Sequence, residues 1–206
     1  MTRLEIGLAK VAVFAACLAP FILIFLRAIG AGQMDLGANP VEEVLHTMGK
    51  TGLNILLVSL AVSPARRLTG YNVLIRFRRM LGLFSFFYVL VHFLTYAWLD
   101  LGLAWSTLFD DITLRPYITV GMLSLVLMIP LAITSTKAMQ RRLKRRWVSL
   151  HRLAYPIAVL AVVHFFWQTK LDTLEPTVYS LILLVLLCER LARSAARSRA
   201  RSASTA

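Results

Sequence analysis

Apolar residues along the chain gather into six blocks separated by short polar segments: Val11–Leu26, Leu53–Val62, Met80–Leu99, Tyr117–Ile133, Val148–Trp167 and Val178–Cys188. Blocks of this length and uniformity predict membrane-spanning helices, which need about 20 predominantly apolar residues. The first block follows Arg3 and Lys10, as the apolar stretch of a signal peptide would. Five more blocks come after it, so it is read as a retained helix, kinked at Pro20. The second is the shortest and reaches spanning length only when extended backward through His46-Thr-Met-Gly-Lys. Pro176 is placed to start the last helix.

Charge decides the doubtful second block. With six spans and a cytoplasmic N-terminus, every basic residue among the 23 lies inside except Arg27, Lys50, Arg115 and Lys170. All ten acids except Glu5 and Glu189 lie outside. Dropping the second span would move the cluster from Arg66 to Arg79 to the wrong side. The expected fold is therefore all-α: an integral membrane six-helix bundle over residues 1–190 with both termini cytoplasmic. Short loops make sequential helices antiparallel neighbours. The basic tail, 191–206, lacks an apolar face and is expected to be a disordered cytoplasmic segment that touches anionic lipid. The run KAMQRRLKRRW reads either as a short surface helix or as the inside-positive signal alone, the second being favoured.

Composition agrees. The chain is 58% apolar, against roughly 45–50% in soluble domains, with a mean hydropathy of +0.70. The net charge of +13 would suit a nucleic-acid partner, but its confinement between apolar blocks argues against one. Cys17 and Cys188 have no ligand spacing, which excludes a cysteine-held iron–sulfur cluster.

Against this background the histidines stand out. His92 is about 18 Å into the third span and His164 about 24 Å into the fifth, both counted from the cytoplasmic side; His151 is only about 4–5 Å in. His92 and His164 thus lie at similar depth. Ionisable groups at such depth tend to be functional, although a histidine bonded to a neighbouring helix is the plain alternative. Two facing imidazoles can fill both axial positions of a heme, leaving an iron that passes electrons rather than binding a substrate. Zinc fits less well, because no Asp, Glu or Cys lies at that depth, and no carboxylate within a span is available for a proton relay. One difficulty is phase: on an ideal helix His151 and His164 point about 140° apart, though Pro156 between them can change that. His46 reads as an interfacial polar group, with a ligand or docking role as alternatives.

The segments GANPVEEVLHTMGKTG, PARRL, IRFRRMLGL with His92 and Tyr96 downstream, RPYITVGML, TSTKAMQRRL and WVSLHRLAYPIAVLAVVHFFW resemble, in order and spacing, the heme-binding membrane subunits of bacterial periplasmic methionine sulfoxide reductase systems (the MsrQ or YedZ family), within the ferric reductase-like transmembrane superfamily. The resemblance implies a multi-pass subunit of the bacterial inner membrane carrying heme b, one or two per chain, and associated with FMN. It implies His92, His151 and His164 as heme ligands, His151 the least constrained of the three. Electrons would come from the quinone pool or a cytoplasmic flavin reductase and leave to a periplasmic molybdenum-containing methionine sulfoxide reductase that repairs oxidised proteins. The larger relatives carry a further histidine fourteen positions before the one matching His92; Arg78 stands there, so His151 would need another partner, and Arg78 or Arg79 would instead pair with heme propionates or serve only as inside-positive charge. The chain has no GxGxxG and would need an external donor. The acidic outward loops, GAGQMDLGANPVEEV and DLGLAWSTLFDDITLRP, are candidate docking surfaces, with Trp105 as an anchor. The competing classes are a transporter or channel, and an assembly factor whose histidines only pack.

Overall fold

A computed structural model describes residues 2–30, 36–169 and 173–203, excepting the side chains of Arg197 and of residues 201–203. Among them the chain forms nine α-helices and no strand: α1 (Arg3–Ala28), α2 (Pro40–Thr69), α3 (Arg78–Leu94), α4 (Trp105–Leu114), α5 (Pro116–Ile133), α6 (Lys137–Leu143), α7 (Arg145–Leu150), α8 (Ala154–Gln168) and α9 (Leu174–Ala203). Five stretches are long and apolar enough to cross a membrane: Arg3–Ala28, Pro40–Thr69, Arg78–Asp100, Pro116–Ile133 and Arg145–Gln168. The second block therefore belongs to a helix long and apolar enough to span. The apolar part of α9 is bounded closely by Glu175 on one side and by Glu189 and Arg190 on the other, so length and composition alone do not add it as a sixth.

Local chemistry sets the helix ends. Thr2 and Glu5 form a reciprocal capping box at α1. Asn39 caps α2 ahead of Pro40 at its first turn, and Gly70, at φ 75°, ends it. Pro116 opens α5. The bundle is apolar outside as well as in its core, with a few polar side chains buried between helices. Leu8, Val11, Phe25, Leu181, Leu184 and Val185 are exposed, whereas Ser59, Ser85, Asp111, Ser124 and Thr134 are buried. Without a hydrophobic drive between helices in lipid, small residues and interhelical hydrogen bonds hold such a bundle, at about 0.6 kcal/mol per bond on average. A close approach of α2 and α3 shows this. Ser85 Oγ donates to the Gly52 carbonyl at 2.9 Å, and a Cβ on Gly52 would stand 2.9 Å from Val89 Cγ2.

The kink expected at Pro20 has a partner on α3. Proline leaves the preceding turn short of a hydrogen bond, and the fully buried Tyr88 inserts its hydroxyl there. Tyr88 Oη donates to the Cys17 carbonyl at 2.6 Å and accepts from the Phe21 amide at 3.1 Å. The phenol thus stands in for the direct Phe21–Cys17 bond of a regular helix.

Cross-helix bonds fix the alignment. His92 meets Leu45 and Arg78 lies near Ser59, so α2 and α3 are antiparallel. His164 meets Tyr117 and His151 meets Thr134, so α5 and α8 are too. Lys50–Glu175 and Arg67–Glu189 pairs run α9 alongside α2. One end of the bundle carries the basic clusters (the basic end); the other carries Glu42, Glu43, Asp111 and Glu175 (the acidic end).

Three segments differ from the sequence reading. The loop after the third span contains α4, whose Leu108 and Asp111 are buried while Trp105, Phe109 and Leu114 face outward. The basic run is two short helices, α6 capped by Thr136 and broken from α7 at Lys144, φ 46°. Finally, α9 continues as helix to Ala203, through most of the segment expected to be a disordered tail, because Ala and Arg are good helix formers. Of the loop residues expected to dock a partner, 31–35 lie outside the described residues, as do Lys170 and Asp172.

Candidate heme site

His92 sits near the end of α3, and the chain just beyond it widens into a π-helix over Thr95–Asp100. Such single turns occur often at functional sites. His164 sits near the end of α8. Between His151 and His164 the helix is interrupted by a 3₁₀ turn, His151–Leu153, just before Pro156. The ideal-helix phase relation between these two histidines therefore does not apply.

The structure brings His92 and His164 together. Their ring centroids are 6.2 Å apart and their planes lie at 80°. His92 Nδ1 bonds to the Leu45 carbonyl at 2.8 Å and His164 Nδ1 to the Tyr117 carbonyl at 2.7 Å. A carbonyl only accepts, so each ring carries its proton on Nδ1 and presents the lone pair of Nε2. Among the described residues no hydrogen bond reaches either Nε2. Carbonyl bonds to the far nitrogen are the usual outer support of a metal-binding imidazole.

Two glycines make room for the rings. A Cβ on Gly49 would stand 3.0 Å from His92 Nδ1, and one on Gly121 would stand 2.8 Å from His164 Nδ1. Each ring lies directly over the backbone of the helix facing it.

Both histidines line one cavity enclosing about 1400 Å³ outside the protein atoms, part of it open to the surroundings. Deeper in, Leu53, Leu56, Val89, Leu125, Met128 and Ala161 line it; toward the acidic end, His46, Lys50, Tyr96, Arg115 and Gln168 do. A largely apolar pocket with a few convergent polar groups is the usual form of a cofactor site. Both rings stand at this cavity, their centres 6.2 Å apart. The residues present fit a heme. They do not suit zinc: among the described residues no three of His, Cys, Asp and Glu converge on a point.

His151 is not at this cavity. Its ring stacks on Trp147, with centroids 4.0 Å apart and planes at 26°. Its Nε2 is 3.1 Å from Thr134 Oγ1. The Thr134 hydroxyl lies 2.6 Å from the Pro130 carbonyl, which takes its proton, so in this arrangement His151 Nε2 is the donor. Trp147 Nε1 donates to the Thr134 carbonyl at 2.9 Å. The three side chains tie the ends of α5 and α7 together.

His46 lines the cavity, with Nε2 3.5 Å from Gln168 Nε2, rather than standing at a bare interface. The sequence reading missed several contributors. Gly49 and Gly121 gave no local signal, because a helical glycine does not announce what packs over it. Lys50 and Glu175 form an ion pair at 2.7 Å across 125 positions of sequence. Tyr96 bonds to the buried Asp111 of α4, which also pairs with Arg115 at 3.0 Å and closes the acidic end over the π-helix.

A family model for the ferric reductase like transmembrane component matches residues 48–162, from α2 into α8. The protein-methionine-sulfoxide reductase heme-binding subunit MsrQ of Xanthomonas campestris pv. campestris (strain B100) is 53% identical over 182 residues, 87% of this chain and 84% of that protein. The subunit of the same description from Xanthomonas oryzae pv. oryzae (strain MAFF 311018) is 49% identical over 205 residues, 97% and 94% of the two chains. That of Rhodospirillum rubrum is 48% identical over 193 residues, 93% and 91%.

Proposed function

The chain belongs to the ferric reductase-like transmembrane family and, within it, to the MsrQ heme-binding subunits, and from that membership we propose that it is the heme b electron-transfer subunit of a methionine sulfoxide reductase system in the bacterial inner membrane. The observation that carries the reading is the pair His92 and His164, facing one cavity with both Nδ1 atoms on backbone carbonyls.

In this reading His92 and His164 would hold the heme, each through the Nε2 left free by its Nδ1 bond to a carbonyl. Bound between them, a heme supplies a one-electron couple. The carbonyls of Leu45 and Tyr117 hold each ring in one tautomer and one orientation. Gly49 and Gly121 let the rings lie against the helices, and Leu53, Leu56, Leu125 and Met128 keep water from the inner wall. Two protein ligands leave no open position for a substrate, so the chain carries electrons and a partner does the chemistry.

The apolar part of α9 is the sixth span, which places both termini and the basic end on the cytoplasmic side by the inside-positive rule. Electrons enter there from the quinone pool or a flavin reductase. They leave at the acidic end to a periplasmic molybdenum-containing reductase that repairs oxidised proteins. Trp105, exposed on α4, and the acids near it are the docking surface. A ligand role for His151 in a second heme requires Nε2 to be released from Thr134 and rests on the family resemblance, as does FMN, which is assigned no residues.

Reoxidation tests the assignment. The purified chain, reduced with dithionite and freed of excess reductant, is mixed with the catalytic subunit and methionine sulfoxide. The account predicts reoxidation that requires both additions. Protein that stays reduced with both present contradicts it.

A further inference from the structure

The cavity between His92 and His164 carries charged residues at one end only, and one of them stands level with the histidines. Lys50 lies ten residues into α2, about 15 Å along the axis, at the level where Gly49 meets His92. A lysine inside a span is costly and calls for a partner and a purpose. Its partner is Glu175 at 2.7 Å, from the first turn of α9, with both side chains more than a third exposed. Lys50 also lines the cavity, and its ammonium, with three donors, meets Glu175 and stands 6.0 Å from the centroid of the Phe165 ring, itself part of the lining. The arginines suggested by sequence for a carboxylate role are elsewhere. Arg78 donates to Ser63 Oγ at 2.9 Å toward the basic end, and neither Arg78 nor Arg79 lines the cavity.

We propose that Lys50 is the carboxylate anchor of the site: it binds a heme propionate at the acidic end of the cavity and sets the cofactor's orientation, with Glu175 as the competing carboxylate that holds the ammonium in place. This rests on the heme reading above. The apolar wall of Leu53, Leu56, Leu125 and Met128 admits the hydrocarbon edge of a porphyrin and would leave a carboxylate unpaired. The acidic end alone offers cations. Of the two there, Arg115 is the more exposed and is already held by Asp111, while Lys50 sits beside the ligand pair.

The test separates contact from general fold effects by altering both partners. Wild type, Lys50→Met, Lys50→Arg and Glu175→Gln are each loaded with heme or with its dimethyl ester, and loss of the pigment to excess apomyoglobin is followed by absorbance. Lys50→Met is expected to speed heme loss about tenfold, the scale of one charge-assisted hydrogen bond, and to leave loss of the ester within about twofold of wild type. Lys50→Arg keeps the wild-type rate within about threefold, and Glu175→Gln slows heme loss by freeing the ammonium. If Lys50→Met loses heme and ester at equally raised rates, Lys50 acts through the fold and the proposal fails. If neither rate changes, Lys50 does not touch the cofactor and the proposal fails while the histidine pair stands. Wild type that takes up no heme removes the heme reading itself, and this inference with it.

Discussion

Gly121 lies beneath the imidazole of His164, where a Cβ would stand 2.8 Å from Nδ1 and 2.9 Å from Cε1. The ring atoms concerned belong to a side chain pinned by its bond to the Tyr117 carbonyl, so they cannot move aside without breaking it. Gly121→Ala should therefore weaken heme retention while the helix remains. Overpacking of this kind costs about 1–3 kcal/mol, roughly a five- to a hundred-and-fiftyfold change in affinity. Gly82→Ala, where nothing lies within 4 Å, is the matched control and should change neither retention nor absorbance.

Tyr88→Phe should destabilise the bundle without removing heme. The change strips one donor from the Cys17 carbonyl and one acceptor from the Phe21 amide, on either side of Pro20. Leaving buried polar groups unpaired costs about 1–3 kcal/mol. Thermal unfolding in detergent should shift downward while the absorbance spectrum per heme stays the same. An unchanged midpoint would mean that α1 closes its own hydrogen bond once the phenol is gone.

Much of the architecture is readable from the chain. Five of the six apolar blocks correspond to helices long and apolar enough to span, because lipid imposes length and apolarity on each helix separately. Counting 1.5 Å per residue also puts His92 and His164 at one depth. What the chain hides is interhelical. Nothing local says that Gly49 and Gly121 lie under imidazoles, or that Lys50 meets Glu175. The helical phase of His151 and His164 misleads because the 3₁₀ turn at His151–Leu153 breaks the helix between them. The helix α4 is concealed in a loop because its buried residues, Leu108 and Asp111, include the acid that Tyr96 recruits.

His151→Ala should keep the heme held by His92 and His164. The ring belongs to the Trp147–Thr134 cluster and is absent from the cavity lining. Heme per polypeptide, measured for wild type and variant, gives the answer. At least one heme per chain should persist in the variant with its absorbance maximum unshifted, and any difference in stoichiometry counts the heme held at the basic end. Complete loss of pigment from a correctly inserted variant would show that the two regions are not separate.

Trp105→Ala should slow delivery to the partner and leave the pigment alone. The indole is exposed on α4 and absent from the cavity lining, and aromatic anchors of this kind are worth about 2 kcal/mol or more when they are buried by a partner. Reoxidation by limiting catalytic subunit should fall roughly thirtyfold, with heme content unchanged. An unaltered rate would place docking elsewhere on the acidic end.

The most direct measurement is the visible spectrum of the purified chain, made in heme-replete cells, before and after dithionite, for wild type, His92→Ala and His164→Ala. One iron clamped by both rings predicts a low-spin b-type signal in wild type that is lost in each variant alone. A colourless, fully inserted wild type, or a signal that survives both substitutions unchanged, would contradict it.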